Sequence, residues 1–345
     1  MNRILKNNSG IALFLVLWIL AFLSVIVGEF SYAMRTEINI TRNFKEQTEA
    51  YYIALAGLNT AIKEIIRNKT GPLQTKHTEA PTEGNTEDTE NKISWRINFD
   101  IPPVPFENGA FKVRIDNESG KININTANTQ LLRMALNTFQ MSNSEKDTIV
   151  DSILDWRDKD NLHRINGAEN DYYHSLPKPY DCKNGDFDSI QELLLVRGVT
   201  PQIFYGGLKD LFTVYPKNTL HNYRNRGTNK ININAASAKM LRALPNMTDD
   251  MVKALMEYRK EKDFDSLTEV LSIVGPQVYD SIAMFITKNM NAYYTITSTG
   301  TINGSKTNVE LRAVVQIDPG QPTGFRVIEW IDRSLPIQDQ QSVYE

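Results

Sequence analysis

The chain has 345 residues, of which 41% are hydrophobic and 23% charged, and its formal net charge at pH 7 is −3. This length allows a membrane segment and one or two domains. The small net charge gives no overall electrostatic reason to expect nucleic-acid binding. The single cysteine, Cys182, excludes an internal disulfide and a cysteine-based zinc cluster.

An apolar run lies close to the N-terminus. Ile11–Gly28 contains 18 residues without a charge, and a bilayer core of roughly 30 Å needs about 20 such residues in a helix. Arg3 and Lys6 precede the run, so the positive-inside rule predicts a cytoplasmic N-terminus and an external remainder. A cleaved secretory signal with a site near Ser31–Ala33, a simple membrane anchor and a buried core helix are the alternatives.

The sequence after this run favours one continuous helix. No proline occurs between Ile11 and Gly71, and Gly71-Pro72 is a strong stop signal. We therefore predict a helix of about 60 residues, roughly 90 Å long, that spans the membrane at 11–28 and is amphipathic at 29–70. Such continuity argues against a cleaved signal peptide. The apolar positions that continue at helical spacing are Phe30, Met34, Ile38, Tyr51, Leu55, Leu58, Ile62 and Ile65.

The N-terminus resembles a type IV prepilin, because the basic leader 1–10 ends in Gly10 and is followed directly by an apolar helix. In that family a prepilin peptidase cuts after the glycine, and the new N-terminal residue, here Ile11, is methylated. The family usually has Glu as the fifth mature residue, where it attracts the N-terminal amine of a neighbouring subunit; this chain has Leu15. The absence of that carboxylate fits a first or tip subunit. In lacking this glutamate, and in the segment Ile11–Trp18, the chain resembles the K-type minor pseudopilins of type II secretion.

The region after the helix contains strand patterns. Residues 68–92 are polar and rich in Thr and Glu, which predicts a mobile loop. Ile93–Phe99 and Phe111–Ile115 alternate apolar and polar residues, so 93–120 is predicted to form pseudopilin strands. Prolines separate the two segments.

The C-terminal region predicts a hairpin and a tail. Tyr293–Thr299 and Val309–Ile317 alternate like paired strands, with Asn303-Gly304 in the turn, which assigns 291–317 to a strand hairpin. Residues 318–345 contain three prolines and are predicted to be a loop and tail with one short docked segment, Val327–Ile331.

An internal repeat occupies the middle of the chain. Lys121–Ala127 reads KININTA, and Lys230–Ala236 reads KININAA. We assign 121–290 to an inserted all-helical subdomain with repeats at 121–206 and 230–290. The other recurring pairs are Leu132-Arg133 with Leu241-Arg242, Trp156-Arg157 with Tyr258-Arg259, and Phe187–Leu194 with Phe264–Leu271.

Each copy resembles a helix-hairpin-helix unit, a motif that commonly binds DNA through a glycine-containing turn. The turns compared here, Ser142–Glu145 and Pro245–Thr248, lack glycine, and Asp249 and Asp250 would repel a phosphate. A structural role is therefore favoured, and a membrane-tethered DNA-binding protein is an alternative. Two such units inserted between pilin-like strands also resemble the K-type pseudopilins. The predicted fold class is α+β, with a long N-terminal helix, a small antiparallel sheet and the inserted helical subdomain.

Carboxylates in the longer first copy suggest a calcium site, because calcium prefers hard oxygen ligands. If Asp158 is position 1 of an EF-hand loop, Asp160 is position 3 and Glu169 is position 12. The loop is nevertheless not an EF-hand, because Leu162 and His163 stand at positions 5 and 6, where an oxygen ligand and glycine are needed. The residue chemistry alone favours solvated loop residues. K-type pseudopilins carry a similar Asp-x-Asp and Gly-Ala-Glu pattern and bind calcium. The resemblance therefore implies calcium ligation by Asp158, Asp160 and Glu169, with weaker support for Asp155, Asp171 and Asp186.

No enzyme signature is recognisable, because none of the four histidines lies in a nucleophile, zinc or phosphate motif. The resemblance implies a non-enzymatic minor pseudopilin in the inner membrane, with a periplasmic globular part that caps the pseudopilus tip and helps to start its assembly. The implied partners are the I- and J-type pseudopilins, the prepilin peptidase and the inner-membrane secretion platform, with exported proteins as further candidates. A minor pilin of a type IV pilus is the nearest alternative.

Overall fold

A single long helix dominates the N-terminal part of the computed structural model, which describes residues 9–70, 95–99, 101–217 and 229–333. The helix α1 runs from Ser9 to Thr70, so the predicted continuous helix is confirmed. It is 62 residues long, or about 93 Å. Its Leu13–Asn68 part contains a stretch of mean hydropathy 2.5, apolar enough to cross a membrane. The predicted mobile loop, from residue 71 onward, lies outside the described residues.

The remaining helices and strands follow in chain order. The helices are α2 (Thr129–Leu136), α3 (Asn143–Arg157), α4 (Asn170–His174), α5 (Pro201–Tyr205), α6 (Ala238–Ala243), α7 (Asp249–Glu261), α8 (Leu267–Val274) and α9 (Pro276–Ile282). The strands are β1 (Val104–Phe106), β2 (Gly109–Asn117), β3 (Ile122–Asn123), β4 (Phe212–Thr213), β5 (Ile231–Asn232), β6 (Ile286–Thr287), β7 (Tyr293–Ile302), β8 (Asn308–Ile317) and β9 (Phe325–Arg333).

Five strands form an antiparallel sheet in the order β1-β2-β7-β8-β9. The C-terminal part of α1 packs on one face of this sheet, mainly over β2, β7 and β8. Helix and sheet approach closely at Gly300, where an added Cβ would overlap the carbonyl oxygen of Ala50. The buried helix positions that face the sheet are Ala50, Ile53, Ala54, Leu58, Ala61, Ile62 and Ile65.

Two strand predictions need correction. Trp95–Phe99, the described part of the predicted strand Ile93–Phe99, is a turn in which Asn98 has a φ of 53°. Arg96 and Asn98 of this segment bind the helical subdomain, and Arg96 donates to the Arg259 carbonyl at 3.0 Å. Its apolar side chains, Trp95, Ile97 and Phe99, pack against the core between α1 and the sheet. The predicted tail contains β9, a full edge strand in place of one short docked segment. By contrast, the hairpin of β7 and β8 is confirmed.

The inserted subdomain consists of two units of the same design. The KININ segment of each unit begins with a short strand, and a second short strand at the end of the unit pairs with it in parallel: β3 with β4, and β5 with β6. The subdomain is therefore not all-helical. The first unit also extends beyond residue 206 to Thr213, because β4 closes it. Parallel pairing needs a crossover between its strands, and the helices of each unit supply it.

The second asparagine of each KININ segment explains why the sequence recurs. The Asn125 side chain accepts from the Phe187 N–H at 2.7 Å and donates to the Phe187 carbonyl at 3.0 Å. Asn234 binds Phe264 in the same way, at 2.8 and 3.0 Å. Each pair satisfies a main-chain donor and acceptor inside the subdomain, which an apolar side chain could not do.

Glycine turns that the sequence reasoning missed lie in the second hairpin of each unit. Gly198 precedes α5 with a φ of 86°, and Gly275 joins α8 to α9 with a φ of 79°. These values lie in the region that favours glycine. The motif-like turns are therefore at 198 and 275, besides the glycine-free turns compared in the sequence. Around Gly275 the described helix α9 carries Asp280 and no lysine or arginine, which gives a DNA phosphate no cation to meet on that helix.

Candidate metal centre

Three of the predicted carboxylates come together in the first unit. Asp158, Asp160 and Glu169 each offer an oxygen, and these oxygens lie within 4.8 Å of one another. Asp160 is exposed, Asp158 is half-buried and Glu169 is buried. Carboxylates at this separation repel one another unless a cation or a proton lies between them. The structure thus brings together the three residues that the family resemblance implied as ligands.

Two helix ends hold these side chains in place. Asp158 is the residue directly after α3, and its N–H still bonds back to the Leu154 carbonyl at 3.2 Å. Glu169 directly precedes α4 and makes no side-chain capping bond to it. Because Glu169 does not cap its helix, its carboxylate is available to the cluster.

Arg164 forms ion pairs with two carboxylates, those of Asp155 and Asp158. Its guanidinium donates to Asp155 and, at 2.7 Å, to Asp158 Oδ2, and its main-chain N–H donates to Asp155 Oδ2 at 3.1 Å. Asp155 is fully buried, and burial raises the pKa of its carboxyl despite these bonds. A Cβ on Gly167 would overlap Asp155, so glycine is needed there. Asp155 thus anchors the loop through Arg164 and stands outside the three-carboxylate group.

The cluster has unused oxygens. Asp158 Oδ1 and both Glu169 oxygens are buried, and apart from the Cys182 thiol beside Glu169 they have no hydrogen-bond partner among the described residues. Burial raises the pKa of the Glu169 carboxyl, and the nearby Asp155, Asp158 and Asp160 raise it further. Buried acceptors without partners are costly. A hard divalent cation would satisfy them, so the donor set fits calcium.

Asn184 is joined to the metal loop by a contact that the sequence did not indicate. Its Nδ2 donates to Asn161 Oδ1 at 2.8 Å, and its own Oδ1 is buried with no hydrogen-bond partner in the described part of the chain. Asn184 has a φ of 48°, a conformation that asparagine tolerates better than most residues. Its distance from Asp160 in the sequence explains why spacing could not identify it.

Neighbouring residues stand apart from the group. Asp171 is exposed in the first turn of α4, outside the three-carboxylate group. His174 pairs with Asp181 at 2.7 Å on the surface. Asp186 is exposed and lies near Arg157. The Cys182 thiol is buried beside Glu169, and burial raises its pKa to about 12, so it stays protonated and is a poor ligand for a hard cation.

The residues predicted for processing lie at the start of α1. Gly10 and Ile11 are within the helix, and Leu15 follows one turn later with 55% of its surface exposed. The exposed apolar side chains continue from Leu13 through Val27. A segment that is apolar on every side suits lipid or other apolar helices.

Comparison with known protein families gives a consistent result. A family model described as type II secretion system protein K matches residues 113–217, and a helix-hairpin-helix motif model matches residues 227–287. The first match covers the second half of β2, the whole first unit and the metal centre. The second covers the whole second unit, including Gly275.

Two relatives and one solved structure are also similar to this chain. Type II secretion system protein K of Pectobacterium carotovorum is 31% identical over 175 residues, covering 49% of this chain and 50% of the relative. The Aeromonas hydrophila protein K is 24% identical over 210 residues, covering 58% and 61%. The matched region thus spans between half and two thirds of these relatives. The crystal structure of a GspK–GspI–GspJ complex from the type 2 secretion system of enterotoxigenic Escherichia coli matches with a TM-score of 0.57 and 17% identity, covering 85% of this chain and 99% of that chain, which supports the fold alone.

A long helix packed on an antiparallel sheet, with a helical subdomain inserted between β2 and β7, is the fold that this chain shares with the solved complex. By these matches the chain is similar to the type II secretion system protein K family, with the family model covering residues 113–217. The predicted fold class is therefore confirmed. Among the described residues, α1 is long and apolar enough to cross a membrane once.

Proposed function

We propose that this minor pseudopilin caps the tip of a periplasmic pseudopilus and helps to start its assembly for protein export. The observation that carries the proposal is the position of the two helical units, which are inserted between β2 and β7 and have their own hydrophobic core. A subunit that carries this extra bulk is a poor substrate for stacking of another subunit above it. The role is structural and needs no catalytic residue.

Processing at Gly10 would leave Ile11 as a methylated N-terminus. Leu15 would then stand fifth in the mature chain and offer no carboxylate to the amine of a neighbouring subunit. A first subunit needs no such contact, and a buried unpaired carboxylate in the membrane is expensive. Arg3 and Lys6 favour a cytoplasmic N-terminus in the inner membrane, with the globular part in the periplasm.

The partners proposed are the I- and J-type minor pseudopilins, which assemble with the K protein in the complex that shares this fold. Apolar side chains of α1 between the membrane segment and the sheet support helix-to-helix contact. Phe30 is 66% exposed and Phe44 is 71% exposed. Isolated apolar residues on a surface are ordinary, but a row of large ones on one helix indicates a partner.

Calcium is proposed as the ion of the carboxylate cluster. Asp158, Asp160 and Glu169 would hold it, with Asn184 as a further oxygen. The ion would offset the charge that accumulates on the three carboxylates and fix the loop between α3 and α4, which is a structural contribution. The unused oxygens of Asp158 and Glu169 support this assignment.

The proposed function is tested by purifying the full-length chain from its own membranes in mild detergent and identifying the proteins that accompany it. We expect two further pilin-like subunits in amounts close to that of this chain. Recovery with pilus components and no secretion subunits would contradict the proposal, as would recovery of the chain alone from cells that secrete normally.

A further inference from the structure

A cleft of about 290 Å³ lies between the first helical unit and the sheet. One wall comes from α5, β4 and the residues between them, and the floor comes from β7, β8 and β9. The floor is the sheet face opposite α1, because Arg312 alternates with Leu311 and Ala313, which lie in the core under α1. Val314, two residues after Arg312, belongs instead to the core of the helical subdomain. The cleft is therefore part of the seam between the sheet and the first unit.

Arg312 lines this cleft and lacks an acceptor. The residue is half-buried, and its Nε is buried without a hydrogen-bond partner among the described residues. A buried N–H of a charged group that has no acceptor costs free energy. A carboxylate that reached this atom would therefore stabilise the protein.

Three carboxylates of the described residues line the same cleft, and none of them serves Arg312. Glu118 accepts from Lys121 at 2.7 Å, and Glu329 accepts from the Tyr215 hydroxyl at 3.2 Å. Asp210 is exposed at the side of the cleft. No ion pair between described residues joins any of the three to Arg312, so the acceptor has to come from elsewhere.

The chain continues past β9 next to this cleft. β9 ends at Arg333. Ile331, two residues earlier, lines the cleft and is the partner of Arg312 in the sheet. The 12 residues at positions 334–345 follow directly, and they lie outside the part of the chain that the structure describes. The C-terminal segment 334–345 thus starts about 7 Å along the strand from the level of Arg312.

The C-terminal segment 334–345 has the charge that Arg312 requires. It contains Asp339 and Glu345 and no lysine or arginine. Pro336 is the third residue after β9, and proline favours a turn. An acidic segment that can reverse direction is therefore tethered beside an unpaired guanidinium.

The spacing selects Asp339 as the partner. A chain that reverses over 334–336 places residue 337 opposite 333 and Asp339 opposite Ile331. Neighbouring strands are about 4.8 Å apart, so Asp339 then lies within side-chain reach of Arg312. Glu345 is six residues farther along, about 20 Å beyond this level, and cannot serve in the same conformation.

We propose that the C-terminal segment 334–345 folds back into this cleft and that the Asp339 carboxylate binds the Arg312 guanidinium. The pair supplies the acceptor that the buried Nε lacks, and a charge-assisted bond of this kind is among the stronger hydrogen bonds. The cleft is then a carboxylate-binding site that the chain fills itself. An acidic peptide from another protein can enter only by displacing this segment.

The test is photocrosslinking of the full-length chain, purified in mild detergent, with Ile337→p-benzoylphenylalanine as the probe. We expect an adduct within the same molecule, at residues that line the cleft. Arg312→Gln and Asp339→Asn should each lower its yield about tenfold. Glu345→Gln and Arg114→Gln are the matched controls and should leave it unchanged, since Arg114 lies on the same sheet face and already has a carboxylate partner.

A charge swap separates loss of the ion pair from loss of the fold. The double variant Arg312→Asp with Asp339→Arg should restore the yield, which damage to the fold would not allow. An adduct with a second copy, an adduct elsewhere in the chain or no adduct would overturn the proposal. Equal yields in Arg312→Gln and Arg114→Gln, or a swapped pair that does not restore the yield, would overturn it as well. The proposed function does not depend on any of these outcomes.

Discussion

Arg157 and Arg259 occupy equivalent positions at the ends of α3 and α7, and each guanidinium donates to two main-chain carbonyls of its own KININ segment. Arg157 binds the carbonyls of Ile124 and Ala127. Arg259 binds those of Ile233 and Ala236, at 2.9 and 2.7 Å. Each arginine therefore joins the long helix of a unit to the segment that contains its first strand. This shared contact explains why an aromatic-Arg pair recurs in the sequence.

Replacing Arg259 should destabilise the second unit. Arg259→Met removes the donors and leaves two buried carbonyls unpaired, which costs about 2–4 kcal/mol of unfolding free energy. Arg242→Met is the matched control, since Arg242 forms a surface pair with Asp249 and should lose at most about 0.5 kcal/mol. Chemical denaturation of the detergent-purified chain measures both. Equal losses in the two variants would contradict the assigned role.

The contact between α1 and the sheet depends on Gly300. Gly300→Ala would push a methyl group against the Ala50 carbonyl, and the resulting overpacking should cost about 1–3 kcal/mol. Gly28→Ala is the control, because nothing lies within 4 Å of a Cβ there. Thermal unfolding compares the variants. An unchanged Gly300→Ala melting temperature would show that helix and sheet are less tightly packed than described.

Acid should weaken the junction between the sheet and the first unit through Glu118. Burial would raise the pKa of this carboxyl, but Lys121 and the hydroxyls of Thr213 and Thr295 outweigh burial and hold it below the ordinary 4.5. Its stabilising contribution is therefore present above pH 4.5 and is lost as the pH falls through the lower folded-state pKa. Glu118→Gln should be less stable at pH 7 and lose less stability on acidification than wild type. Parallel pH–stability curves for the two proteins would refute this.

Calcium should raise thermal stability through Asp158 and Glu169. At a calcium concentration of about 100 times Kd, binding adds about 2.7 kcal/mol, which corresponds to roughly 5–10 °C for a cooperative unit of about 150–250 residues. The difference between calcium and chelator should disappear in Asp158→Asn and Glu169→Gln. Asp171→Asn, outside the group, should retain it. Identical melting temperatures of the wild type in calcium and in chelator would contradict calcium binding at this site.

Local patterns predicted what local physics determines. The apolar spacing after Ile11 identified α1, because a 3.6-residue period specifies a helix whatever it packs against. The repeated KININ segments identified the two units. The family resemblance, not the incomplete EF-hand spacing, implied Asp158, Asp160 and Glu169, and the fold does bring these three carboxylates together.

Features that depend on distant contacts were missed. β9 follows Pro319 and Pro322 and has no clear alternation, because a register shift at Val314/Val315 changes which face its residues occupy. The alternation in Ile93–Phe99 predicted a strand, yet Arg96 and Asn98 bind the second unit instead. Asn184 joins the metal loop through Asn161, a contact that no spacing rule contains.

We propose above all that Ile11, in the first turn of α1, is the mature N-terminus of a pseudopilin. Mass spectrometry of the N-terminal peptide of the chain, purified from its own membranes, tests it most directly. We predict a peptide that begins at Ile11 and carries one additional methyl group on its amine. A chain that retains Met1, or one cleaved after Ala33, would contradict the account.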